Sequence, residues 1–244
     1  MTRPRRRTLA LLAAFLCGGC VPAHPPGPPD VVLIVIDTLR ADHLALYGYE
    51  HATSPHLERL AADGVTYLRA ISPGTWTVPA HGSLFTGRWP SYHGAERVAG
   101  QRMLAYPLNP DVPTLAELLH AGGYATAAFV GNGTYVAPPF GFARGFTTFE
   151  HEGLESPPTV ARRVDEWLAG QPRPLFLFLN LLDPHEPYEP PAPLDTRFAT
   201  KQPEFGTMIT TVVNERRPLT TVVIMVPNSG CLVAKRVSSG AGGS

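Results

Sequence analysis

The sequence has no excess of charge of either sign and very little cysteine. Its 244 residues carry 20 Lys and Arg against 20 Asp and Glu, and its pI is about 7.1. Basic residues form no stripe outside the extreme N-terminus, which argues against a nucleic acid partner. Two of the three cysteines lie within the first twenty residues, and Cys231 is the third. With those two assigned to a leader, no disulfide framework or cysteine metal site is expected, so any metal ion must be held by Asp, Glu, His or hydroxyl oxygen.

The N-terminus lacks an apolar run long enough to cross a bilayer as a mature helix. Four arginines between residues 3 and 7 precede a short Leu- and Ala-rich stretch, and small residues then lead to Cys20. This order resembles a bacterial lipoprotein signal and predicts a signal peptide over residues 1–20, followed by a proline-rich linker over 21–29. We expect an extracytoplasmic protein anchored to a membrane through lipid on Cys20. Cys17 stands where an aliphatic residue is usual, so a conventional signal peptide and an uncleaved anchor are the alternatives.

The rest of the chain is 44% hydrophobic overall and long enough for one large domain. Apolar, mostly β-branched or leucine-rich runs predict strands at 31–36, 65–70, 124–130 and 175–179. Apolar periodicity and Pro or Gly boundary signals predict helices at 56–62, 115–120 and 159–169. Strands that alternate with helices predict an α/β domain with a mostly parallel or mixed central sheet.

Polar side chains follow two of the predicted strands at the point where each strand ends. Asp37 comes directly after the first apolar run, while Asp183 and His185 follow the run that begins at residue 175. Ligands of open α/β sheets collect at the carboxyl ends of strands. A carboxylate at such a place suits a hard cation such as Ca²⁺ or Mg²⁺, although a turn cap or a pair with Arg40 is the simpler interpretation of Asp37 alone.

The segment TWTVPAHGSLFTGR at residues 75–88 gathers hydroxyls, a histidine and a proline. A helix that begins at Thr77 would direct the Thr77 side chain and the free N–H groups of the first turn toward one anion. Pro79 is compatible with an early helical position. His81 is then a candidate donor to the same anion. The alternative is a capped helix whose hydroxyls serve only backbone groups.

Five segments in this order resemble the sulfatase family of the alkaline-phosphatase superfamily. They are IDTLRADHLALYGYEHATSPHLERLAADGVTYLRA, TWTVPAHGSLFTGRWPSYHG, DVPTLAELLHAGGYATAAFVGN, FGFARGFTTFE and LNLLDPHEPYEPP. The resemblance covers about two-thirds of the chain, and we assign residues 30–199 to a sulfatase-like domain. It implies an alkaline-phosphatase-like sandwich, with helices on a mostly parallel sheet that is incomplete at the C-terminus. It also implies hydrolysis of sulfate or phosphate esters.

The resemblance also implies roles for single residues. Asp37 matches a metal-binding aspartate, and Thr77 matches the cysteine or serine that becomes formylglycine in true sulfatases. Since threonine cannot become formylglycine, the implied chemistry is direct attack by Thr77 activated by a divalent cation, most simply Ca²⁺ or Mg²⁺, with Mn²⁺ or Zn²⁺ as alternatives. His81 stands where many sulfatases have arginine, and His185 matches a substrate-contacting histidine.

Two family positions differ here. Thr38 replaces a frequent second aspartate, and Asn132 lies near a usual lysine. We nevertheless predict that the residues assigned to the site converge on one pocket, with Asp183 orienting His185 or serving its loop. They are Asp37, Thr77, His81, Asp183 and His185.

Residues 200–244 show none of the family's expected sequence, and no Asp follows Asp195. This tail resembles the product of a truncation, so we expect it to pack poorly and the activity to be impaired. The expected substrate is a small-molecule, glycan or lipid ester. The competing hypotheses are a catalytically inactive, lipid-anchored binding protein or remnant, and an unrelated α/β binding protein.

Overall fold

A seven-stranded sheet forms the centre of the molecule. The computed structural model of the protein describes residues 27–101, 104–152 and 156–185, and two strands at 222–226 and 231–235. The strands are β1 (Val31–Ile36), β2 (Val65–Tyr67), β3 (Ala125–Val130), β4 (Thr148–Glu150), β5 (Leu175–Leu181), β6 (Val222–Val226) and β7 (Cys231–Lys235). The α-helices are α1 (Pro55–Ala62), α2 (Thr77–Thr86), α3 (Pro90–His93), α4 (Leu115–Ala121) and α5 (Pro157–Leu168). Short 3₁₀ helices occupy Ala41–His43, Ala45–Tyr47 and Pro138–Phe140.

The sheet has the order β2-β7-β6-β1-β5-β3-β4 and is mostly parallel. Strand β1 pairs in parallel with β5 on one side and with β6 on the other. Strand β3 pairs in parallel with β4 and β5, whereas β7 is antiparallel to both β2 and β6. The β1 run VVLIVI is apolar throughout because this strand lies in the middle of the sheet, as the sequence predicted.

Alternate side chains of the central strands face two different layers of helices. Leu33 and Val35 of β1 and Phe176 and Phe178 of β5 pack in the cluster that includes Val78 of α2. The neighbouring residues on these strands face the other side, where α5 covers β3 and β5 and where α1 covers β1. The predicted sandwich of helices around a mostly parallel sheet is confirmed.

The predicted helices and strands are present with small shifts at their ends. The largest is in β2, which ends at Tyr67 rather than at residue 70. A strand of three residues is enough here because β2 is an edge strand that pairs with β7 alone.

The tail was expected to pack poorly, yet two segments of it pair with the central sheet. For the remaining residues past 200, which lie outside the described residues, the expectation stays a prediction. Strand β6 lies between β1 and β7, and β7 carries β2. The physical reason is in the local sequence, since two β-branched or apolar runs are separated by Pro-Asn-Ser-Gly, a composition typical of a turn.

The predicted signal peptide, and most of the linker and tail, lie outside the described residues. Within the described residues, no helix is long and apolar enough to cross a membrane.

Candidate active site

Asp37 is a buried carboxylate with no counter-charge in the described structure. Asp37 follows β1 directly and is only 1% exposed. Its backbone N–H donates to the Leu181 carbonyl (2.8 Å), which continues the pairing of β1 with β5. Its Oδ2 accepts a hydrogen bond from Asn132 Nδ2 (2.8 Å), and no Lys, Arg or His of the described ranges forms an ion pair with it. The alternative pair with Arg40 does not form, because Arg40 binds Asp42.

Thr38 follows Asp37 in an unusual backbone conformation. Its φ is +58°, in the left-handed region that a β-branched residue rarely adopts. Its hydroxyl oxygen is buried and has no hydrogen-bond partner. Buried polar atoms are nearly always hydrogen-bonded, so an unpartnered hydroxyl beside an uncompensated carboxylate is consistent with an absent ligand. Backbone strain of this kind is also concentrated at functional sites.

Thr77 is the first residue of α2, as the sequence predicted. Trp76 precedes the helix with extended backbone angles, and Thr77 is 8% exposed. The Thr77 hydroxyl makes no hydrogen bond within the described ranges, so it does not cap its own helix. Gly74 allows the preceding loop to lie against this helix, because a Cβ at residue 74 would come within 2.7 Å of the Ala80 nitrogen. The geometry leaves both the hydroxyl and the first-turn N–H groups available to an anion.

His81 does not occupy the position predicted for an anion donor. It is fully buried, and its ring lies edge-on to Phe85, Phe142 and Phe178. Its Nδ1 lies 2.8 Å from the Thr77 carbonyl oxygen, which can only accept, so Nδ1 carries the proton. Its Nε2 faces Asn180 Nδ2 at 3.4 Å and is left as a weak acceptor. This geometry argues against the predicted role of His81 as an anion donor, because both ring nitrogens are directed at protein groups.

Burial sets the protonation of His81. Desolvation lowers the pKa of His81 from its usual value, and the nearby Asp37 carboxylate and the Thr77 carbonyl offset only part of this effect. The imidazole is therefore neutral at pH 7 and acts as a structural group within α2.

Two asparagines link these elements. The sequence did not predict that they contact each other. Asn180, in β5, is fully buried and its Oδ1 accepts from the Asn132 backbone N–H (2.8 Å). The Asn132 side chain in turn binds Asp37. A continuous series of polar contacts thus runs from the Thr77 carbonyl through His81, Asn180 and Asn132 to the Asp37 carboxylate. For Asn180, the signal in the sequence was that this asparagine interrupts the apolar run LFLFLNLL.

Asp183 lies apart from this series of contacts. It is exposed and lines a pocket of about 330 Å³ together with Ile36, Leu44, His56 and Leu181. Leu181 and Ile34 pack on the side of the sheet that α1 and α5 cover, and Ile36 lies two residues after Ile34 on the same strand. Val35, by contrast, packs on the side of α2. Asp183 makes no hydrogen bond or ion pair in the described structure, and its predicted role, to orient His185 or to serve its loop, stays a prediction.

His185 is half-buried, and its backbone N–H donates to the Leu182 carbonyl (2.8 Å). Its role as a substrate contact stays a prediction. The convergence of all five residues on one pocket stays a prediction: contacts connect the Thr77 backbone, His81 and Asp37, whereas Asp183 lines a pocket with Ile36 and Leu181.

A second buried histidine supports α2 from its other side. His93 accepts the Ala95 N–H at Nδ1 (3.1 Å), so its Nε2 donates to Ser83 Oγ (3.0 Å). Its ring lies against Gly82, where a Cβ would be 2.5 Å from Cε1. Burial is also the largest influence on His93 and lowers its pKa. The Thr86 hydroxyl donates to the Gly82 carbonyl (2.7 Å). Because the Ser83 and Thr86 hydroxyls both bind protein groups, Thr77 has the available hydroxyl of α2.

The chemistry of the donors fits part of a site for a hard divalent cation. Asp37, Thr77 and the unpartnered Thr38 hydroxyl offer oxygen atoms only, which Ca²⁺ and Mg²⁺ prefer. In the part of the chain that the structure describes, no three His, Cys, Asp or Glu side chains gather closely enough to hold a metal ion. Asp37 is therefore the one carboxylate assigned to this site.

Comparison with known proteins identifies the relatives of the chain. A sequence model described as Sulfatase matches residues 29–217. Steryl-sulfatase of Mus musculus is 35% identical over 138 residues, which are 52% of this chain and 22% of the relative. Arylsulfatase A of Bos taurus is 34% identical over 144 residues, which are 56% of this chain and 27% of the relative. The chain thus spans about a quarter of the length of these curated relatives.

Solved structures show the same fold at lower identity. The phosphonate monoester hydrolase of Agrobacterium radiobacter superimposes with a TM-score of 0.59 at 22% identity, over 73% of this chain and 45% of that chain. The phosphonate monoester hydrolase of Silicibacter pomeroyi gives a TM-score of 0.54 at 23% identity, over 70% of this chain and 44% of that chain. These similarities concern the fold, which is alkaline-phosphatase-like.

Proposed function

The chain belongs to the sulfatase family, and on this premise we propose that it is a hydrolase of sulfate or phosphate esters with Thr77 as its nucleophile. The observation that carries the proposal is the state of the Thr77 hydroxyl. It lies at the N-terminus of a largely buried helix and makes no hydrogen bond within the described ranges. The backbone carbonyl of the same residue begins the series of buried contacts that ends at the Asp37 carboxylate. The other hydroxyls of α2 are engaged by protein groups.

The reaction would proceed in two displacements. Thr77 Oγ loses its proton to solvent and attacks the sulfur or phosphorus, the bond from that atom to the ester oxygen breaks, and the leaving alkoxide takes a proton from solvent. Water then attacks the covalent Thr77 ester and gives a proton to Thr77 Oγ, which restores the hydroxyl and releases sulfate, phosphate or, from a diester, a phosphomonoester. The first-turn N–H groups of α2 face the negative charge of the ester.

Asp37 and Thr77 would hold the divalent cation, with the Thr38 hydroxyl beside them. Such a cation would lower the pKa of the Thr77 hydroxyl and neutralise negative charge on the ester oxygens. Asn132 fixes the orientation of Asp37, since its amide donates to one carboxylate oxygen and leaves the other for a ligand. We propose Ca²⁺ or Mg²⁺ because the donors are oxygens, with Mn²⁺ and Zn²⁺ as alternatives.

The Thr77 test compares three forms of the full chain. Aryl sulfate and aryl phosphodiester hydrolysis is measured for wild type, Thr77→Ala and Thr77→Ser in the presence of each cation. We expect Thr77→Ala to lower kcat by at least about a thousandfold and Thr77→Ser to retain part of it. Thr86→Ala is the control, since this hydroxyl lies at the other end of α2 and binds a helix carbonyl. Turnover that survives Thr77→Ala would refute the nucleophile.

The absolute rate is expected to be low, because the described residues supply one carboxylate to the cation site. The alternative function is an inactive binding protein that keeps the fold of the family. Absence of turnover in wild type, together with cation binding that depends on Asp37, would favour this alternative.

Cation binding is tested separately from turnover. Equilibrium dialysis followed by metal analysis should find one divalent cation per chain for wild type and none for Asp37→Asn. We also expect Asp37→Asn to be at least as stable as wild type without metal, because it removes a buried charge that forms no ion pair with any described residue. Asp42→Asn is the control, since Asp42 is exposed and paired with Arg40. Equal cation binding by Asp37→Asn would rule out the assignment.

We further propose that the substrate is a small-molecule, glycan or lipid ester and that the chain acts outside the cytoplasm. Steryl-sulfatase, arylsulfatase A and N-acetylgalactosamine-6-sulfatase, to which this chain is similar, have names that refer to such esters. The proposed location rests on the arginines, the apolar stretch and Cys20 alone. Mass spectrometry of membrane extracts should find a chain that begins at a lipid-modified Cys20, whereas an intact Met1 on an unmodified chain would exclude the anchor.

A further inference from the structure

Two arginines stack on aromatic rings at opposite ends of α2. The guanidinium carbon of Arg97 lies 4.9 Å from the centre of the Trp76 ring, and Trp76 immediately precedes Thr77. The guanidinium carbon of Arg88 lies 5.1 Å from the centre of the Tyr92 ring, just beyond the C-terminus of the helix. Both side chains are exposed.

The Trp76 ring is held between elements that border the candidate active site. It packs edge-on against Tyr135 (ring centres 5.6 Å apart), and the Tyr135 backbone N–H donates to Asn132 Oδ1 (3.3 Å). Asn132 is the residue that binds Asp37. Arg97 is held on this side of the molecule because its backbone pairs with Ala105, which packs on the core. Arg97 therefore stacks on the residue that immediately precedes the proposed nucleophile, and contacts through Tyr135 and Asn132 connect that residue to Asp37.

Arg97 has a positive charge that no carboxylate of the described residues pairs with. It forms no ion pair or hydrogen bond with any residue that the structure describes, whereas Arg40, Arg144, Arg162 and Arg163 all pair with Asp or Glu. Stacking over an indole fixes the plane of a guanidinium and leaves its N–H edge free to bind oxygen. Both ring nitrogens of the buried His81 are directed at protein groups, and Asn132 carries no charge, so neither side chain offers a cation to a substrate anion near Thr77.

We infer that Arg97, positioned by Trp76, is a substrate-binding residue that recognises an anionic group of the ester. The anionic group has sulfate-like or phosphate-like oxygens, which match the planar N–H donors of arginine. It is either the reacting group or a second anionic group on the same substrate. This inference rests on the proposed function for the location of the site, but it concerns binding and can be tested without turnover.

The test titrates the full chain with three anions that contain no ester bond. They are inorganic sulfate, benzenesulfonate and a benzenedisulfonate, and binding is followed calorimetrically at constant ionic strength and divalent cation concentration. We expect Arg97→Gln to weaken binding about tenfold, because a charge-assisted hydrogen bond is lost. Arg97→Lys should lie between wild type and Arg97→Gln, since it keeps the charge but loses the planar donors.

Arg88→Gln is the matched control. It removes another exposed arginine that stacks on an aromatic ring, just beyond the C-terminus of α2. Because the helix dipole disfavours anions at this end, the substitution should change anion binding less than twofold. Thermal unfolding of each variant checks that the fold is retained. Weaker binding of all three anions would place Arg97 at the reacting group, and weaker binding of the disulfonate alone would place it at a second group.

Three results would overturn the inference. They are no binding of any of the three anions by wild type, a change of less than threefold in Arg97→Gln for every anion, and an equal loss in Arg88→Gln. The proposed hydrolase function fails on a different measurement, since it requires ester turnover that depends on Thr77. A chain that binds these anions through Arg97 without turnover would keep this inference and remove the hydrolase proposal.

Discussion

Single residues of the site are defined by what surrounds them rather than by their type. His81 is a typical acid–base residue in sequence, yet its ring is enclosed by three phenylalanines and its nitrogens are directed at Thr77 and Asn180. Asp37 is also buried, and its side-chain partner in the described structure is the Asn132 amide, which supports the cation site proposed for it. These surroundings favour a structural role for His81 and a ligand-binding role for Asp37.

The burial of His81 makes a prediction about pH. Because burial lowers the folded-state pKa of His81 below that of the unfolded chain, the unfolded state binds a proton that the folded state resists. The free energy of unfolding should therefore fall as the pH drops below about 6.5, by at most about 1.4 kcal/mol per pH unit for this residue. His93 adds to the same slope, because burial also lowers its pKa.

Urea unfolding of wild type, His81→Gln and His120→Gln between about pH 7.5 and pH 5 measures this slope. His81→Gln should show a shallower slope than wild type, whatever its absolute stability. His120 is exposed, so its substitution should leave the slope unchanged. A slope that is the same in all three proteins would show that His81 titrates normally in the fold.

At the scale of elements, α4 is fixed by a network that starts at its first turn. The Thr114 hydroxyl accepts the Glu117 N–H (3.1 Å), and Glu117 Oε2 accepts the Thr114 N–H (2.8 Å). Arg144 then binds both oxygens of Glu117 and the carbonyls of Asn109 and Val112. Gly145 is required beside it, because a Cβ there would lie 2.1 Å from the Glu117 nitrogen. The segment FGFARGF thus braces α4 against the sheet.

Arg144→Met should lower the free energy of unfolding by about 2 kcal/mol, because it leaves Glu117 and two carbonyls without a charged donor. Arg162→Met is the control. Arg162 forms an exposed pair with Glu166 on the surface of α5, so its loss should cost less than about 0.5 kcal/mol. Chemical denaturation of the three proteins provides the comparison. Equal effects of the two substitutions would show that the Arg144 network contributes no more than a surface ion pair.

At the scale of the whole molecule, the order of the sheet depends on segments from both ends of the chain. Strand β1 lies between β5 and β6, so residues 222–226 fill one side of the central strand. Strand β2 pairs only with β7 among the described strands. The carboxyl end of β6 lies at the same edge of the sheet as Asp37, since Met225 is opposite Val35 in the parallel register.

Hydrogen exchange tests this arrangement. We expect amides of β6 to be protected to a similar degree as those of β1 and β5, because an interior strand is hydrogen-bonded on both sides. Amides of β4, which pairs only with β3, should exchange faster and provide an internal reference. Exchange of residues 222–226 on the timescale of an unstructured peptide would instead favour the original expectation of a poorly packed tail.

The sequence by itself determined the class of fold and the ends of the elements that form the site. The run VVLIVI followed by Asp37, and Pro79 two residues after Thr77, specified a buried strand and a helix start through local preferences. These signals are local, because burial on both faces and helix initiation are written in consecutive residues.

Only the tertiary structure decided which residues meet. Asn132 and Asn180 lie 48 residues apart, and His81 and Asn180 lie 99 apart, so no local pattern could connect them. Asn180 lies in β5, and Asp183 follows two residues after the end of this strand. Asn180 is buried beside His81, yet Asp183 lines the pocket beside Ile36. Arg97 reached Trp76 through the pairing of its segment with Ala105. Side-chain contacts between distant segments depend on the packing of the sheet and its helices, which local sequence does not encode.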